Sequence, residues 1–208
     1  MTRAAAGWLA ATALVLVATV AFAASYYAAV PDPMPVHWGA GGPDGFQRKT
    51  PAGFLGLHAL APGILLVVQA GGAALIRVQA RAAGSLDERA HRLYQRALGS
   101  FMTGVSLVCA LFVHGLSRTA AGDDAALWRV LSSGWFFAAG LVVLLAWLAL
   151  GFRGTGVVYF DRGDERVLVE HRGGTGVTLN FARPGAWGIL AALLAPAALV
   201  TLLAVFAG

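Results

Sequence analysis

Tyr27 to Lys49 reads YAAVPDPMPVHWGAGGPDGFQRK, a polar segment dense in proline and glycine between two long apolar runs. Pro31, Pro33, Pro35 and Pro43 fix φ and remove amide donors, while Gly39, Gly41, Gly42 and Gly45 open backbone angles that other residues avoid. Neither helix nor strand is expected to run through it, so the segment reads as a shaped surface loop joining two helices.

The flanks define the class. Of 208 residues, 58% are hydrophobic and 12% charged, whereas soluble domains carry about 25% charged residues. Apolar runs near the ~20 residues needed to cross a bilayer as a helix fall at about Ala5 to Val30, Phe54 to Ile76, Ala97 to Leu116, Val130 to Phe152 and Ala186 to Ala207. The expected fold is an all-α integral membrane protein, a five-helix transmembrane bundle. Residues 1–76 hold the first two spans and the Pro/Gly loop, 77–152 an Arg-rich helix and spans three and four, and 153–208 a β segment and the fifth span. Ala21-Phe22-Ala23 could suit a signal peptidase, but the first apolar stretch runs on through Tyr27 to Val30, longer than a usual signal core, so an uncleaved helix is expected.

Positive charge is retained in the cytoplasm, which orients the bundle. With the N-terminus inside, Arg3, Arg77, Arg81, Arg89, Arg92, Arg96, Arg153, Arg162, Arg166, Arg172 and Arg183 lie on the cytoplasmic side, against Arg48, Lys49, Arg118 and Arg129 outside. The Pro/Gly loop and the C-terminus then face the exterior. Topology explains the net charge of +5, and no nucleic acid is implied, because the basic residues flank spans without a reader motif. The arginines of the first inner loop suit membrane lipid.

Two inner loops differ in kind. Ser85-Leu86-Asp87-Glu88 is a capping box, predicting a helix from near Leu86 straight into the third span. Gly156–Phe160, Arg166–Glu170 and Gly176–Phe181 are rich in β-branched and aromatic residues, with turn signals between them, predicting a small hairpin or meander between helices 4 and 5. Gln69, Ser106, Ser132 and Ser133 are expected to make interhelical hydrogen bonds, and Gly71, Gly72, Gly134 and Gly140 to allow close helix approach. Trp8, Trp128 and Trp187 read as interfacial anchors. Cys109 has no partner for a disulfide and reads as a packing residue.

His37, His58 and His114 share one membrane face on this topology, with Asp32, Asp44, Asp123 and Asp124 in the adjoining loops. A divalent metal such as zinc held by His37, His58 and His114 is one reading. The other has the loop acids capping helix ends or pairing with Arg48 and Lys49 to hold the loop's shape. No cofactor is otherwise implied, and enzyme signatures such as HExxH, GxSxG or a Walker lysine loop are missing, so no catalytic residue is expected. No equal inverted halves and no mid-span charges mark a transporter.

Val30-Pro31-Asp32-Pro33-Met34-Pro35-Val36-His37-Trp38, followed by Gly42-Pro43-Asp44-Gly45 and Lys49, resembles the L-P-D-x-I-P-x-H-F…G-x-x-D-x-x-x-K pattern of the domain of unknown function 1648. The likeness covers roughly the first 75 residues, with Met34 and Trp38 in place of the usual Ile and Phe. A second stretch, Asp164 through Phe181, is similar to the domain of unknown function 5808 pattern D-P-R-L-F-V-P-K…G-x-G-x-T-x-N-F, with Glu165 where proline is common and Glu170-His171 where Pro-Lys is common. The resemblance implies a bacterial inner-membrane protein related to the SdpI type, which protects a toxin-producing cell from its own secreted peptide; that type has six spans. It implies Asp32, His37, Asp44 and Lys49 as ligand-binding residues. The expected function is non-enzymatic recognition of a secreted peptide, ion or envelope component, in toxin immunity or envelope-stress signalling, with a cytoplasmic regulator as a further partner. A transport or channel component with the outer histidines as ion site, or a structural subunit of a membrane complex, is the alternative.

Overall fold

The computed structural model describes residues 3–39, 42–83, 88–151, 159–170 and 177–189. Helix α1 (Arg3–Tyr26) ends in a 3-10 turn (Tyr27–Ala29) and leads into strands β1 (Met34–Gly39) and β2 (Gly42–Gln47). Helices α2 (Pro51–Ala83) and α3 (Glu88–Ala120) follow, then a short α4 (Ala126–Leu131), α5 (Gly134–Gly151) and strands β3 (Leu168–Glu170) and β4 (Val177–Leu179). Among the described residues, four helices contain stretches long and apolar enough to cross a membrane: Arg3–Ala29, Pro51–Ala74, Gln95–Ala120 and Gly134–Gly151. Residues 184–189, at the start of the fifth expected span, are helical; the rest of that span lies outside the described residues.

Helices α1, α2 and α3 pack on one another, and α5 packs chiefly on α3. The seam between the first three is polar. Every seventh residue of α1, Ala5, Thr12, Thr19 and Tyr26, is buried, the spacing that keeps one stripe of a helix facing its neighbours. The Thr12 hydroxyl donates to Gln69 Oε1 on α2 at 2.7 Å and lies 2.8 Å from the Thr103 hydroxyl on α3, so one small side chain ties three helices. Gln69 therefore makes the expected interhelical bond; Ser106, also expected to make one, is buried with no partner for its hydroxyl among the described residues. By contrast α5 buries none of its residues, which suits a helix facing lipid on most of its circumference.

The fourth span departs from its expected course. Ser132 donates to the Arg129 carbonyl at 3.1 Å, Ser133 donates to Val130 at 2.7 Å, and Ser133 Oγ accepts the Phe136 amide at 3.2 Å. These local bonds end α4 and cap the start of α5, so the two serines break the span instead of bridging helices. The glycines at close approach also differ. A Cβ on Gly71 or Gly134 would meet nothing within 4 Å, whereas one on Gly99 would strike Trp8, one on Gly104 would strike Leu144, and one on Gly115 would come 2.5 Å from the Ser132 nitrogen. Of the expected four, Gly140 sits tight against Val108 and Gly72 makes ordinary contact with Leu98.

Helix α3 runs unbroken from Glu88 to Ala120, as the inner-loop reading predicts; Ser85 of the capping box lies outside the described residues. Strands β3 and β4 form an antiparallel hairpin with Leu168 opposite Leu179 and Val169 opposite Thr178, and Tyr159 bridges to Asn180 in parallel.

Candidate functional site at the hairpin end

The segment expected to exclude strands is an antiparallel hairpin. Met34 pairs with Gln47, Pro35 with Phe46, His37 with Gly45, Trp38 with Pro43 and Gly39 with Gly42. Proline is tolerated because each strand of a two-stranded sheet is an edge, where the missing amide need not serve the ladder. Two register shifts flank His37 and leave Val36 and Asp44 unpaired. A bulge re-aims a side chain, and here the extra residue brings Asp44 Oδ1 to 2.5 Å from His37 Nδ1. Both side chains are exposed, at 72% and 53%. Gly45 makes this crossing possible, since a Cβ there would come 2.7 Å from His37 Cβ.

The base of the hairpin is fixed to the helix ends. Met34 is fully buried in a cluster with Ala23, Tyr26, Val30 and Phe54. Lys49 directs its ammonium at three carbonyls that close α1 and its 3-10 turn, Val30 at 2.7 Å and Tyr27 and Ala28 each at 3.4 Å, and lies 4.9 Å from the Tyr27 ring centroid. Carbonyls at a helix C-terminus lack intrahelical partners and carry partial negative charge, so a lysine there satisfies both needs. The Lys49 amide donates to Asp32 Oδ1 at 2.9 Å. Thr50 then caps α2 through its hydroxyl, with Pro51 in the first turn. Of the four residues singled out as ligand-binding, Asp32 and Lys49 therefore hold the loop in shape, and His37 and Asp44 form the exposed pair.

Directly below, His58 and His114 converge as their matched depths imply, through a residue that the sequence reading missed. The Tyr26 hydroxyl lies 2.9 Å from His58 Nε2 and 2.7 Å from His114 Nδ1, all three side chains being buried. His58 Nδ1 lies 2.9 Å from the Phe54 carbonyl and so donates to it. In an uncharged ring Nε2 is then an acceptor, so Tyr26 donates to His58 and accepts from His114. The seven-residue spacing from Ala5 through Tyr26 was the available signal for the tyrosine. The Arg118 guanidinium covers the rings of Tyr26 and Trp128 at 5.1 and 5.2 Å and pairs with Asp123; Trp128, expected as an anchor, stacks on Phe22. The three-histidine metal set is not assembled: His37 belongs to the exposed hairpin with Asp44, and no three His, Cys, Asp or Glu side chains come together among the described residues. A donor set of two imidazoles and a phenol, with an arginine over the phenol ring, is poor for a divalent cation.

The opposite β unit is organised about Asn180, which is fully buried. Its Nδ2 donates to the carbonyls of Asp161 and Asp164, both at 2.9 Å, and its Oδ1 accepts the amides of Asp161 and Ala182, both at 3.1 Å. Asp164 accepts the Arg166 amide and guanidinium and the Tyr159 hydroxyl. Bonds from Arg166 hold the Asp164 carboxyl below its usual range, while desolvation and the bonds to Asp164 and Asp161 raise Tyr159.

Fold and site together describe a mostly helical protein whose apolar helices suggest a membrane protein, with a small hairpin at one end of the bundle. Residues 14–61 match the family Domain of unknown function (DUF1648), and residues 162–187 match the Family of unknown function (DUF5808). The first match spans the hairpin together with Tyr26 of α1 and His58 of α2; the second includes Asp164 and Asn180. No curated protein and no solved structure matches the chain.

Proposed function

We propose that this is a non-enzymatic protein of the bacterial inner membrane, N-terminus inside, whose hairpin recognises a secreted peptide or another envelope component outside the cell. By family resemblance to the SdpI type, the role is toxin-peptide immunity or envelope-stress signalling. The observation that carries the reading is the exposed His37–Asp44 pair on a hairpin closed at its base by Asp32 and locked to α1 by Lys49. Both polar groups are exposed while their backbone is held, the preorganisation that lowers the entropic cost of binding. The arginine sorting of the sequence supports the orientation.

The test is protection of cells from the candidate peptide. Alanine at His37 or Asp44 abolishes protection at unchanged membrane abundance; full protection by both variants would sink the reading. A second reading, ion or proton transport, is favoured by one observation, the buried Tyr26–His58–His114 bridge among three helices. It requires flux in reconstituted vesicles that is lost in Tyr26→Phe.

A further inference from the structure

A trough of about 600 Å³ opens between α1 and α5, with α3 as its floor, at the end of the bundle opposite the hairpin. It exists because α1 and α5 both pack on α3 without packing extensively on each other, and because small side chains line it. Its chemistry is layered along the helix axes. Arg96 stands at the mouth beside Ala4, near the start of α1. One turn deeper, at the ~5.4 Å rise of a helical turn, lie Trp8, Ser100 and Trp147. The Trp147 indole donates to Ser100 Oγ at 2.9 Å. Ala11 marks the apolar depth.

We propose that this trough binds one anionic phospholipid of the surrounding bilayer, its phosphate against Arg96, its glycerol region at the indole level and an acyl chain along Ala11. Charge complementarity selects this occupant. Among the described ion pairs, His37–Asp44, Arg118–Asp123 and Arg166–Asp164, none involves Arg96. The fifth apolar segment, 186–207, contains no Asp or Glu to answer it. A lipid phosphate is the remaining counter-charge, and basic pockets between helices are where anionic headgroups bind. Tryptophan at the headgroup level suits the same depth. The inference rests on the membrane reading and stands whether or not the hairpin binds a peptide.

The test is native mass spectrometry of the full-length, delipidated protein with phosphatidylglycerol or phosphatidylcholine added. Phosphatidylglycerol is retained about fivefold over phosphatidylcholine, the gain of one basic residue at an anionic surface. Arg96→Gln brings the ratio to near one, Arg96→Lys keeps it, and Ala11→Trp lowers retention of both lipids by filling the trough. Equal retention by the parent protein, or an unchanged preference in Arg96→Gln, overturns the proposal. So does an efficient disulfide, in a Cys109→Ala background, from Gly7→Cys to Ala195→Cys of the same chain, or from Gly7→Cys to its equivalent in a second copy.

Discussion

The two β-hairpins are built by opposite devices. The β1–β2 hairpin has few buried residues of its own and borrows its rigidity from the helices: Met34 enters their core, Asp32 joins the hairpin's two ends by accepting the Lys49 amide, and the Lys49 ammonium ties them to the close of α1. The β3–β4 unit carries its organiser inside, with one amide, Asn180, satisfying four backbone groups of the surrounding loops. The first arrangement leaves its polar pair, His37 and Asp44, outside and available; the second turns its polar groups inward. A hairpin fixed from outside and a unit held from within thus differ in where the hydrogen bonds go.

Asn180→Ala breaks this contrast most severely. Four backbone groups lose their partner, at roughly 1–3 kcal/mol for each that stays buried, so the unit loses about 3 kcal/mol or more. Amide exchange at Asp161 and Ala182 accelerates, while exchange in β1 and β2 stays as it was. Lys49→Met acts on the other hairpin, removing a charged donor from the α1 carbonyls at a cost of about 2 kcal/mol. It loosens β1 and β2 in the same exchange experiment and leaves Asn180 protected. Tyr26→Phe removes the bridge between His58 and His114; hydrogen bonds between membrane helices are worth about 0.6–1.7 kcal/mol. The melting temperature in detergent therefore falls slightly, and the histidine ring resonances move in NMR spectra.

The smallest effect is a pH dependence confined to the β3–β4 unit. Asp164 has a folded pKa held below its ordinary 3.8 by Arg166. Its contribution is fully present above that ordinary value and is lost as the pH falls below it toward the folded pKa. Exchange protection around Asn180 should therefore weaken in acid below about pH 4. In Asp164→Asn that acid loss disappears. An unchanged acid profile in this variant would assign the titration to another carboxylate.

Helix positions were legible because a stretch long and apolar enough to span a bilayer is a property of local composition. The depths of His58 and His114 followed from counting residues along two helices that end at one face. Tyr26 was not foreseen, because being a bridge depends on which stripe of α1 meets α2 and α3. Ser132 and Ser133 misled, since a serine in an apolar run can bond across helices or back to its own carbonyls, and only the folded backbone, broken between α4 and α5 at these two residues, selects between them. The hairpin misled for a related reason. Proline forbids a central strand but not an edge, and a two-stranded sheet consists of edges.

The sequence by itself determined where four helices long and apolar enough to cross a membrane lie among the described residues, and which residues of the Pro/Gly segment deserve attention. Tertiary structure divided those residues between tasks, giving Lys49 to the closure of α1 and Asp32 to the base of the hairpin, and leaving His37 and Asp44 at the surface. Composition reports how favourably a segment leaves water, and that is summed residue by residue. A hydrogen bond requires two groups to meet at about 2.9 Å, and that meeting is decided only when distant parts of the chain pack.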